Sequence, residues 1–116
     1  EQAFSGTIAQ RALAEYYVDK AFISCRTVSI NNGITESTDQ WASIRHLMIE
    51  RSDKQYLVVD HTKFGQTSFV RICDFDEITA VITDHPLDAK WHEALRSKGC
   101  AIIDGDEETP VPELLG

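Results

Sequence analysis

Four short apolar runs constrain the fold of this chain more than any other feature of its sequence. They are AFISC (Ala21 to Cys25), YLVVD (Tyr56 to Asp60), AVIT (Ala80 to Thr83) and AII (Ala101 to Ile103). Each run is almost wholly apolar, whereas a strand with one exposed face would alternate apolar and polar residues. Continuous runs of this length are typical of strands in a parallel sheet that is covered by helices on both faces.

Segments with helical features lie around these runs. The first predicted helix starts at Ser5, an acceptable N-cap, and continues through TIAQRALAEYY. The second starts at Ser37, which forms a predicted capping box with Gln40. The third begins near Pro86 and stops at Gly99, because proline favours the first turn of a helix and glycine commonly ends one. This alternation predicts an α/β fold, a three-layer, mostly parallel sheet flanked by helices.

The second and third predicted helices each carry an apolar stripe at helical spacing. The stripes consist of Trp41, Ile44, Leu47 and Met48 in the second helix, and of Leu87, Trp91, Ala94 and Leu95 in the third. We interpret both tryptophans as core residues or subunit contacts rather than as platforms for stacking nucleic-acid bases.

The segment between the second and third apolar runs does not follow this alternation. SFVRI alternates weakly, which predicts a hairpin-like or edge strand, and DFDEI predicts one short helical turn. No linker divides the chain. We therefore expect one domain over residues 1–104, followed by an acidic, proline-containing tail over residues 105–116.

The net charge and the absence of long apolar runs exclude two classes of partner. The 116-residue chain has a formal net charge of −8 at pH 7, which disfavours nucleic-acid binding, because that binding depends on Lys and Arg side chains that release counterions from phosphates. No apolar run approaches the roughly 18 residues of a membrane-spanning helix, and no basic and apolar leader opens the sequence. We expect a soluble, intracellular domain that binds no membrane.

Two polar loops follow the first two predicted strands. Ligands of an open parallel sheet collect beyond the carboxyl ends of its strands, where helix N-termini point their N–H groups. The elbow NNGITES (Asn31 to Ser37) and the lysine loop DHTKFG (Asp60 to Gly65) lie there. Their simplest interpretation is a tight turn with a helix cap and a solvated lysine. The functional interpretation is a cradle for a phosphate or a polyol, with candidate residues Arg26, Thr27, Asn32, Gly33, Thr35, Glu36, Ser37, Arg45 and Lys63.

Arg26 directly follows a predicted buried strand, so we expect its exposure to be limited. A guanidinium with limited exposure requires an anionic partner. The candidates are Asp60, Glu36 and a bound ligand.

Metal, disulfide and common catalytic motifs are absent from the sequence. The histidines show no HxxxH or HxH spacing, and the three cysteines form no CxxC pair, so we predict no metal site, no cofactor and no disulfide framework. We expect the cysteines to be small core residues. GxSxG, P-loop and GxGxxG motifs do not occur either, and no catalytic residue is predicted.

Four motifs, taken in order, resemble one known family. DKAFISC, NNGITES, IRHLMIERSDKQYLVVDHTKFG and EITAVITD are together similar to the C-terminal effector-sensing domain of the DeoR family of bacterial transcription regulators. The resemblance covers roughly Phe4 to Ile103. The ordered set is far more specific than any one of its motifs.

This resemblance implies a fold related to ribose-5-phosphate isomerase and glucosamine-6-phosphate deaminase. It also implies a cytoplasmic homo-oligomer that senses a phosphorylated sugar or a related metabolite. DNA would be bound only through a winged helix-turn-helix that precedes the sensor, usually in a repressor that the metabolite releases. The DNA-binding part and the glycine-rich start of the sensor are expected to lie outside this sequence, so the sensing domain is expected to be incomplete at its N-terminus.

The residues carry over to the family pattern with two departures. Asn32 to Ser37 stand in the elbow motif, and Lys63 stands at the lysine of an SKFG-type loop. Arg26-Thr27 replaces a frequent DG, and Arg45 stands where a lysine is common. The related isomerases have catalytic aspartates in the loop that begins at Arg26, and an arginine cannot act as the base because it stays protonated.

Three hypotheses follow. The first is a regulatory domain that binds a sugar phosphate without transforming it. The second is a sugar-phosphate isomerase or deaminase, in which Glu36 and Asp60 would be the only plausible bases near the strand ends. The third is a dimerisation module with a vestigial pocket, in which Arg26 would pair internally with an acid.

Overall fold

The computed structural model describes residues 16–105. The first predicted helix lies outside the described residues except for Tyr16 and Tyr17, which form irregular backbone, and so does nearly all of the predicted tail. Within the described range, the elements are β1 (Val18–Ile23), β2 (Thr27–Ser29), β3 (Gly33–Glu36), α1 (Asp39–Glu50), β4 (Ser52–Val58), β5 (Val70–Cys73), β6 (Ala80–Ile82), α2 (Ala89–Ser97) and β7 (Ala101–Ile103), with 3₁₀ turns at His61–Lys63 and Phe75–Glu77.

The four predicted apolar strands form one parallel sheet, which we call the main sheet. Its strand order is β1-β4-β6-β7, and all three neighbouring pairs are parallel. The predicted α/β class and mostly parallel sheet are therefore confirmed. The strand limits differ in detail, since β1 ends at Ile23 rather than Cys25 and β4 begins at Ser52 rather than Tyr56.

One face of the main sheet is open at β1 and β4 as far as the described residues extend. Ala21 and Ile23 are buried, whereas Phe22 is 56% exposed and Val58 is 46% exposed. The prediction of two covered faces therefore does not hold for β1 within residues 16–105. It holds better at β6, where Val81 is fully buried.

A second sheet, which the sequence pattern did not predict, joins β2, β3 and β5 in antiparallel order. The polar letters of NNGITES indicate a loop, yet Gly33–Glu36 is a strand whose four residues are all buried. This strand forms a hairpin with β2. The predicted edge strand in SFVRI is confirmed as β5, and the predicted helical turn in DFDEI is the 3₁₀ turn Phe75–Glu77.

The N-terminus of α1 differs from the predicted capping box. The N-cap is Thr38, whose Oγ1 accepts a hydrogen bond from the backbone N–H of Trp41 at 3.2 Å. Ser37 donates its backbone N–H and its hydroxyl to Oε2 of Glu36, at 3.0 and 3.4 Å. The prediction of a capping box between Ser37 and Gln40 is therefore wrong by one residue.

The predicted stripe holds only in part for α1, where Met48 packs against the core, and is confirmed for α2 at Trp91 and Leu95. The buried residues of α1 are Ala42 and Ile49, while Trp41 is 47% exposed. In α2, Leu95 is fully buried, and Trp91 packs edge-on against Phe64 with ring centroids 4.9 Å apart. Gly99 has a φ of +77°, as expected of a residue that ends a helix.

One cluster of buried apolar side chains connects the two sheets and both helices. Its members include Val28 of β2, Ile34 of β3, Leu57 of β4, Val81 of β6 and Leu95 of α2, each at most 1% exposed. Backbone hydrogen bonds, from Arg26 to Thr35 and from Gly65 to Val28, hold the loops that follow β1 and β4 against the β2–β3 hairpin.

Thr38→Ala is expected to lower the free energy of unfolding by about 1 kcal/mol, because it removes the N-cap acceptor of α1. Ser37→Ala is the matched control, since the exposed Ser37 hydroxyl does not cap the helix, and its effect is expected to stay within about 0.5 kcal/mol. Urea unfolding followed by circular dichroism measures both. A larger loss of unfolding free energy for Ser37→Ala than for Thr38→Ala would mean that Ser37 is the N-cap, as the capping-box prediction had it.

Candidate functional site

The loops at the carboxyl ends of the parallel strands meet along one edge of the main sheet, which we call the carboxyl edge. Arg26 follows β1, Lys63 follows β4, Asp84 and His85 follow β6, and Asp104 follows β7. An open parallel sheet binds its ligands at such an edge. Two of the three predicted basic residues, Arg26 and Lys63, follow neighbouring strands of the sheet.

Lys63 lies on a loop that is fixed at both ends. Asp60 caps the 3₁₀ turn by accepting a hydrogen bond from the backbone N–H of Thr62 at 2.8 Å. The N–H of Gly65 donates to the carbonyl of Val28 at 2.8 Å, which ties the loop to β2. Lys63 is half-buried, and its ammonium forms no ion pair with the described residues. An unpaired cation on a fixed backbone is suited to holding an anion.

Two candidate threonines are enclosed within the β2–β3 hairpin. Thr27 is 6% exposed and Thr35 is 2% exposed, and their Oγ1 atoms lie 2.6 Å apart. Oγ1 of Thr35 also accepts a hydrogen bond from the N–H of Ser68 at 2.9 Å. These contacts satisfy both hydroxyls inside the protein, so the two threonines hold the second sheet together.

The turn of the hairpin is tied to the segment that follows the lysine loop. Nδ2 of Asn32 donates to Oγ1 of Thr67 at 3.0 Å, and the backbone N–H of Asn32 donates to Oγ of Ser29 at 3.0 Å. Asn32 remains exposed, while Gly33 is buried with a positive φ of +76°, which a tight turn requires of its glycine. The elbow and the lysine loop are therefore one connected structure.

Arg45 and Glu36 form an internal brace. Nε of Arg45 donates to the carbonyl of Ser24, and Nη2 donates to Oγ of Ser24 at 3.1 Å. The same Nε lies 3.4 Å from Oε1 of Glu36, which is buried and receives no hydrogen bond from the described residues. Because the Nε proton is directed at Ser24, Arg45 stabilises this carboxylate through charge alone.

Arg26 is exposed, contrary to the prediction of limited exposure. The reason is that β1 ends at Ile23, so Arg26 lies in a bend beyond the strand. Its backbone N–H donates to the carbonyl of Thr35 at 3.1 Å. Its guanidinium forms no hydrogen bond or ion pair with the described residues, including the two acids predicted as its partners.

Three of the candidate side chains influence Cys25. Burial raises the pKa of the Cys25 thiol to about 12, Glu36 also raises it, and Arg45 and Lys63 act in the opposite direction. These charges therefore lie around the thiol at the carboxyl end of β1. A thiol with such a high pKa stays protonated at neutral pH and is not a nucleophile. Cys25 is half-buried, and the other two cysteines are buried, as predicted.

The part of the carboxyl edge at β4 and β6 carries histidines and carboxylates. Nδ1 of His61 lies 3.0 Å from Oδ2 of Asp84, and the ring centroids of His61 and His85 are 3.9 Å apart. The hydrogen bond from the His61 side chain is the main cause that lowers the pKa of Asp84 to about 2. The pKa of Asp60 is lowered too, chiefly by the Thr62 hydroxyl and further by the charge of Lys63. The carboxylates of Asp60 and Asp84 therefore make this side of Lys63 negatively charged.

The sequence matches the family described as "DeoR C terminal sensor domain" over residues 1–85, which is most of the 116-residue chain. The chain belongs to this family. The resemblance inferred from the four motifs is confirmed. The DeoR sensor domain is part of transcription regulators and is not an enzyme, which agrees with the prediction that this chain has no catalytic role.

Three similar proteins are transcription regulators of greater length. The chain is 36% identical over 96 residues to the uncharacterized HTH-type transcriptional regulator YulB of Bacillus subtilis, covering 83% of this chain and 37% of that protein. It is 32% identical over 104 residues to the HTH-type transcriptional regulator GlpR of Haloferax volcanii, covering 90% and 41%. It is 33% identical over 84 residues to the lactose phosphotransferase system repressor of Staphylococcus aureus, covering 72% and 33%. The chain therefore spans well under half the length of each.

Sequence reasoning about this DeoR sensor domain missed the cluster of His61, Asp84 and His85. The prediction of no metal site rested on spacing along the chain. The useful signal was the position of each residue relative to a strand, since Asp84 and His85 follow one apolar run and His61 follows another. Parallel neighbours in the main sheet bring such residues together.

A cleft of about 460 Å³ lies away from the predicted residues. It occupies the amino ends of β6 and β7 and is lined by Gln55, Asp76, Glu77, Ile78, Thr79, Gly99 and Ala101. Two of these residues are acidic and none is basic, so the cleft is a poor site for an anion.

Neither helix within residues 16–105 combines the length and the apolar character that crossing a membrane requires.

Proposed function

We propose that this DeoR sensor domain binds a phosphorylated sugar, or a related anionic metabolite, at the carboxyl edge beside β1 and β4, and that it does not transform this ligand. The observation that supports the proposal most is that one of the three predicted cations has internal partners among the described residues and the other two have none. Arg45 is engaged by Glu36 and Ser24, whereas Lys63 and Arg26 form no ion pair with the described residues. Lysine and arginine side chains with free donors are the usual partners of phosphate oxygens.

The backbones that carry these two cations are both anchored to the β2–β3 hairpin. Lys63 stands on a loop anchored to β2, and Arg26 is held by its backbone N–H to β3. The hairpin therefore fixes the backbones of Lys63 and Arg26, while neither side chain forms an ion pair with the described residues. In this proposal the ligand is the partner that orders them. The enclosed Thr27 and Thr35 support the hairpin and make no contact with the ligand.

The exposure of Arg26 disfavours the vestigial-pocket hypothesis, in which Arg26 would pair with an internal acid. The isomerase or deaminase hypothesis loses one of its two bases, because Glu36 is buried beside Arg45. A relative of this chain is named as a repressor of a lactose phosphotransferase system. That name supports a sugar-related ligand for this chain as well.

The proposal extends to the whole regulator. A preceding winged helix-turn-helix would bind DNA, the protein would be a cytoplasmic homo-oligomer, and the fold would be related to that of ribose-5-phosphate isomerase and glucosamine-6-phosphate deaminase. The ligand would act by preferring one arrangement of the subunits. Coupling of this kind typically changes an affinity by about 5-fold to 150-fold, or about 1–3 kcal/mol.

Calorimetry of the chain with a panel of sugar phosphates tests the proposal. Glucose 6-phosphate, ribose 5-phosphate and glycerol 3-phosphate are compared with their unphosphorylated counterparts and with inorganic phosphate. At least one phosphorylated compound is expected to bind, and Lys63→Ala is expected to weaken that binding by roughly 10-fold to 150-fold, because it removes a charged hydrogen bond worth about 1.5–3 kcal/mol.

Lys20→Ala serves as the control, because Lys20 is an exposed lysine in β1, away from the carboxyl edge. Its affinity for the ligand is expected to equal that of the parent. If no compound in the panel binds, or if Lys63→Ala binds as tightly as the parent, the proposal is wrong.

A further inference from the structure

His61, Asp84 and His85 are brought together by the register of the main sheet. β4 and β6 are parallel neighbours in which Val58 is paired with Ile82. His61 and His85 each stand three residues beyond this pair, and Asp84 stands two residues beyond it. Their proximity is therefore a consequence of strand pairing and does not depend on a flexible loop.

One pair of these side chains already has nearly the spacing of metal ligands, and the third lies close by. One ligand atom from each of the three residues can be chosen so that all lie within 4.8 Å of one another. Nδ1 of His61 and Oδ2 of Asp84 are 3.0 Å apart, whereas two ligands of a tetrahedral Zn²⁺ lie about 3.3 Å apart when each bond is about 2.0–2.1 Å long. A metal ion can thus replace the shared proton between these two atoms with little movement.

The second oxygen of Asp84 is held in place by its neighbours. Oδ1 accepts a hydrogen bond from the backbone N–H of His61 at 2.8 Å and another from the hydroxyl of Thr83 at 3.3 Å. These bonds fix the carboxylate plane and leave Oδ2 directed at the His61 ring. Hydrogen bonds of this kind orient the ligands of established metal sites and strengthen binding.

We propose that His61, Asp84 and His85 form a binding site for one divalent transition-metal ion, for which Zn²⁺ is the best fit. Two imidazoles and one carboxylate are a common zinc ligand set that leaves a fourth position for water or an anionic ligand. All three residues are exposed, so the ion reaches the site from solvent. The carboxylate of Asp60 near Asp84 adds negative charge, and Lys63 opposes it.

The metal site is independent of the proposed sugar-phosphate site, because it uses none of the same side chains. It also differs from the pairs that His46 and His92 form. His46 lies 3.7 Å from Glu50, and His92 contacts the buried Asp104 at 3.1 Å.

Calorimetric titration of the metal-free chain, without a histidine tag, with Zn²⁺ at neutral pH tests this inference. One equivalent of Zn²⁺ is expected to bind. His61→Ala and His85→Ala are each expected to weaken the affinity by at least about tenfold, because each removes one of three protein ligands. Both residues are exposed, and circular dichroism checks that both variants remain folded.

His46→Ala is the matched control, since it removes another histidine that lies near carboxylates, and its Zn²⁺ affinity is expected to stay within about twofold of the parent. The absorption spectrum of the chain with Co²⁺ in place of Zn²⁺ supplies a second readout. Nitrogen and oxygen ligands give no thiolate charge-transfer band, whereas a cysteine ligand would give one. The inference is overturned if Zn²⁺ does not bind stoichiometrically, if His61→Ala and His85→Ala both bind like the parent, or if the Co²⁺ spectrum shows a cysteine ligand.

Discussion

Gly33→Ala is expected to lower the free energy of unfolding by about 2–5 kcal/mol. Two destabilising contributions add up to this value: a side chain on a residue with left-handed backbone geometry, and the shift of neighbouring atoms that the new Cβ forces. Gly33 opens β3 with a φ of +76°, and a Cβ there would lie 2.7 Å from the carbonyl oxygen of Cys73 and 3.2 Å from Cα of Asp74. Both atoms belong to the backbone, so no side-chain rotation relieves the contact. Urea unfolding of the parent and the variant gives the difference.

Gly65→Ala separates the two causes. Gly65 has a φ of +85°, but a Cβ there has no neighbour within 4 Å. The free energy of unfolding of this control should therefore fall only by the backbone contribution, about 1 kcal/mol. Equal losses in the two variants would mean that β3 does not pack against the end of β5 as described, and a stable Gly33→Ala protein would contradict the hairpin itself.

Arg45→Met is expected to lower the free energy of unfolding by about 2–4 kcal/mol, because it leaves a buried carboxylate without its cation and removes hydrogen bonds to Ser24. The side chain of Glu36 is only 8% exposed, and that of Arg45 is 18% exposed. Methionine keeps most of the length of arginine and removes its charge, so lost packing contributes little. Chemical denaturation measures the change.

A double-mutant cycle with Glu36→Gln identifies the electrostatic part. In the Glu36→Gln background, Arg45→Met should lower the free energy of unfolding by only about 1 kcal/mol, since no buried charge is then left unpaired. Arg96→Met, an exposed change in the last turn of α2, is the control and should stay within about 0.5 kcal/mol. If Arg45→Met abolished ligand binding while leaving stability unchanged, Arg45 would be a ligand contact rather than a brace.

The main sheet was predictable because each of its strands contains a run of apolar residues. Such a run can be recognised in the sequence without knowing which strand lies beside it. YLVVD and AVIT are apolar over nearly every residue, and they occupy adjacent central positions in the sheet. The limits of the strands were less predictable. β4 begins at Ser52, and its first residues, SDKQ, are polar side chains that still pair with β1.

The β2–β3 hairpin was not predictable from periodicity, because its buried polar groups satisfy one another. Thr27 and Thr35 are buried yet polar, and their mutual contact at 2.6 Å, together with the hydrogen bond from the N–H of Ser68 to Thr35, explains how both are buried. A sequence pattern reports hydrophobicity and does not report such pairing. The same limit applies to the helix cap, since both Ser37 and Thr38 are acceptable caps and the hydrogen bonds of Ser37 to the Glu36 carboxylate are not visible in the sequence.

The places of the candidate residues in the fold were predictable, but the internal partners of each side chain were not. Lys63 and Arg26 were expected beyond the ends of two strands, and they lie there. Arg45 was expected to face a ligand, and the structure places it against Ser24 and Glu36. The difference arises because ion pairing depends on side chains distant in sequence, which spacing along one helix does not reveal.

Chemical-shift mapping of the ¹⁵N-labelled chain tests the central claim most directly. A sugar phosphate that binds in calorimetry is titrated against the chain, with its unphosphorylated counterpart as the control. We expect the largest amide shifts in residues 24–27 and 60–65, on the two loops that carry Arg26 and Lys63. Shifts confined to the cleft at the amino ends of β6 and β7, around Gln55 and Thr79, would contradict the account.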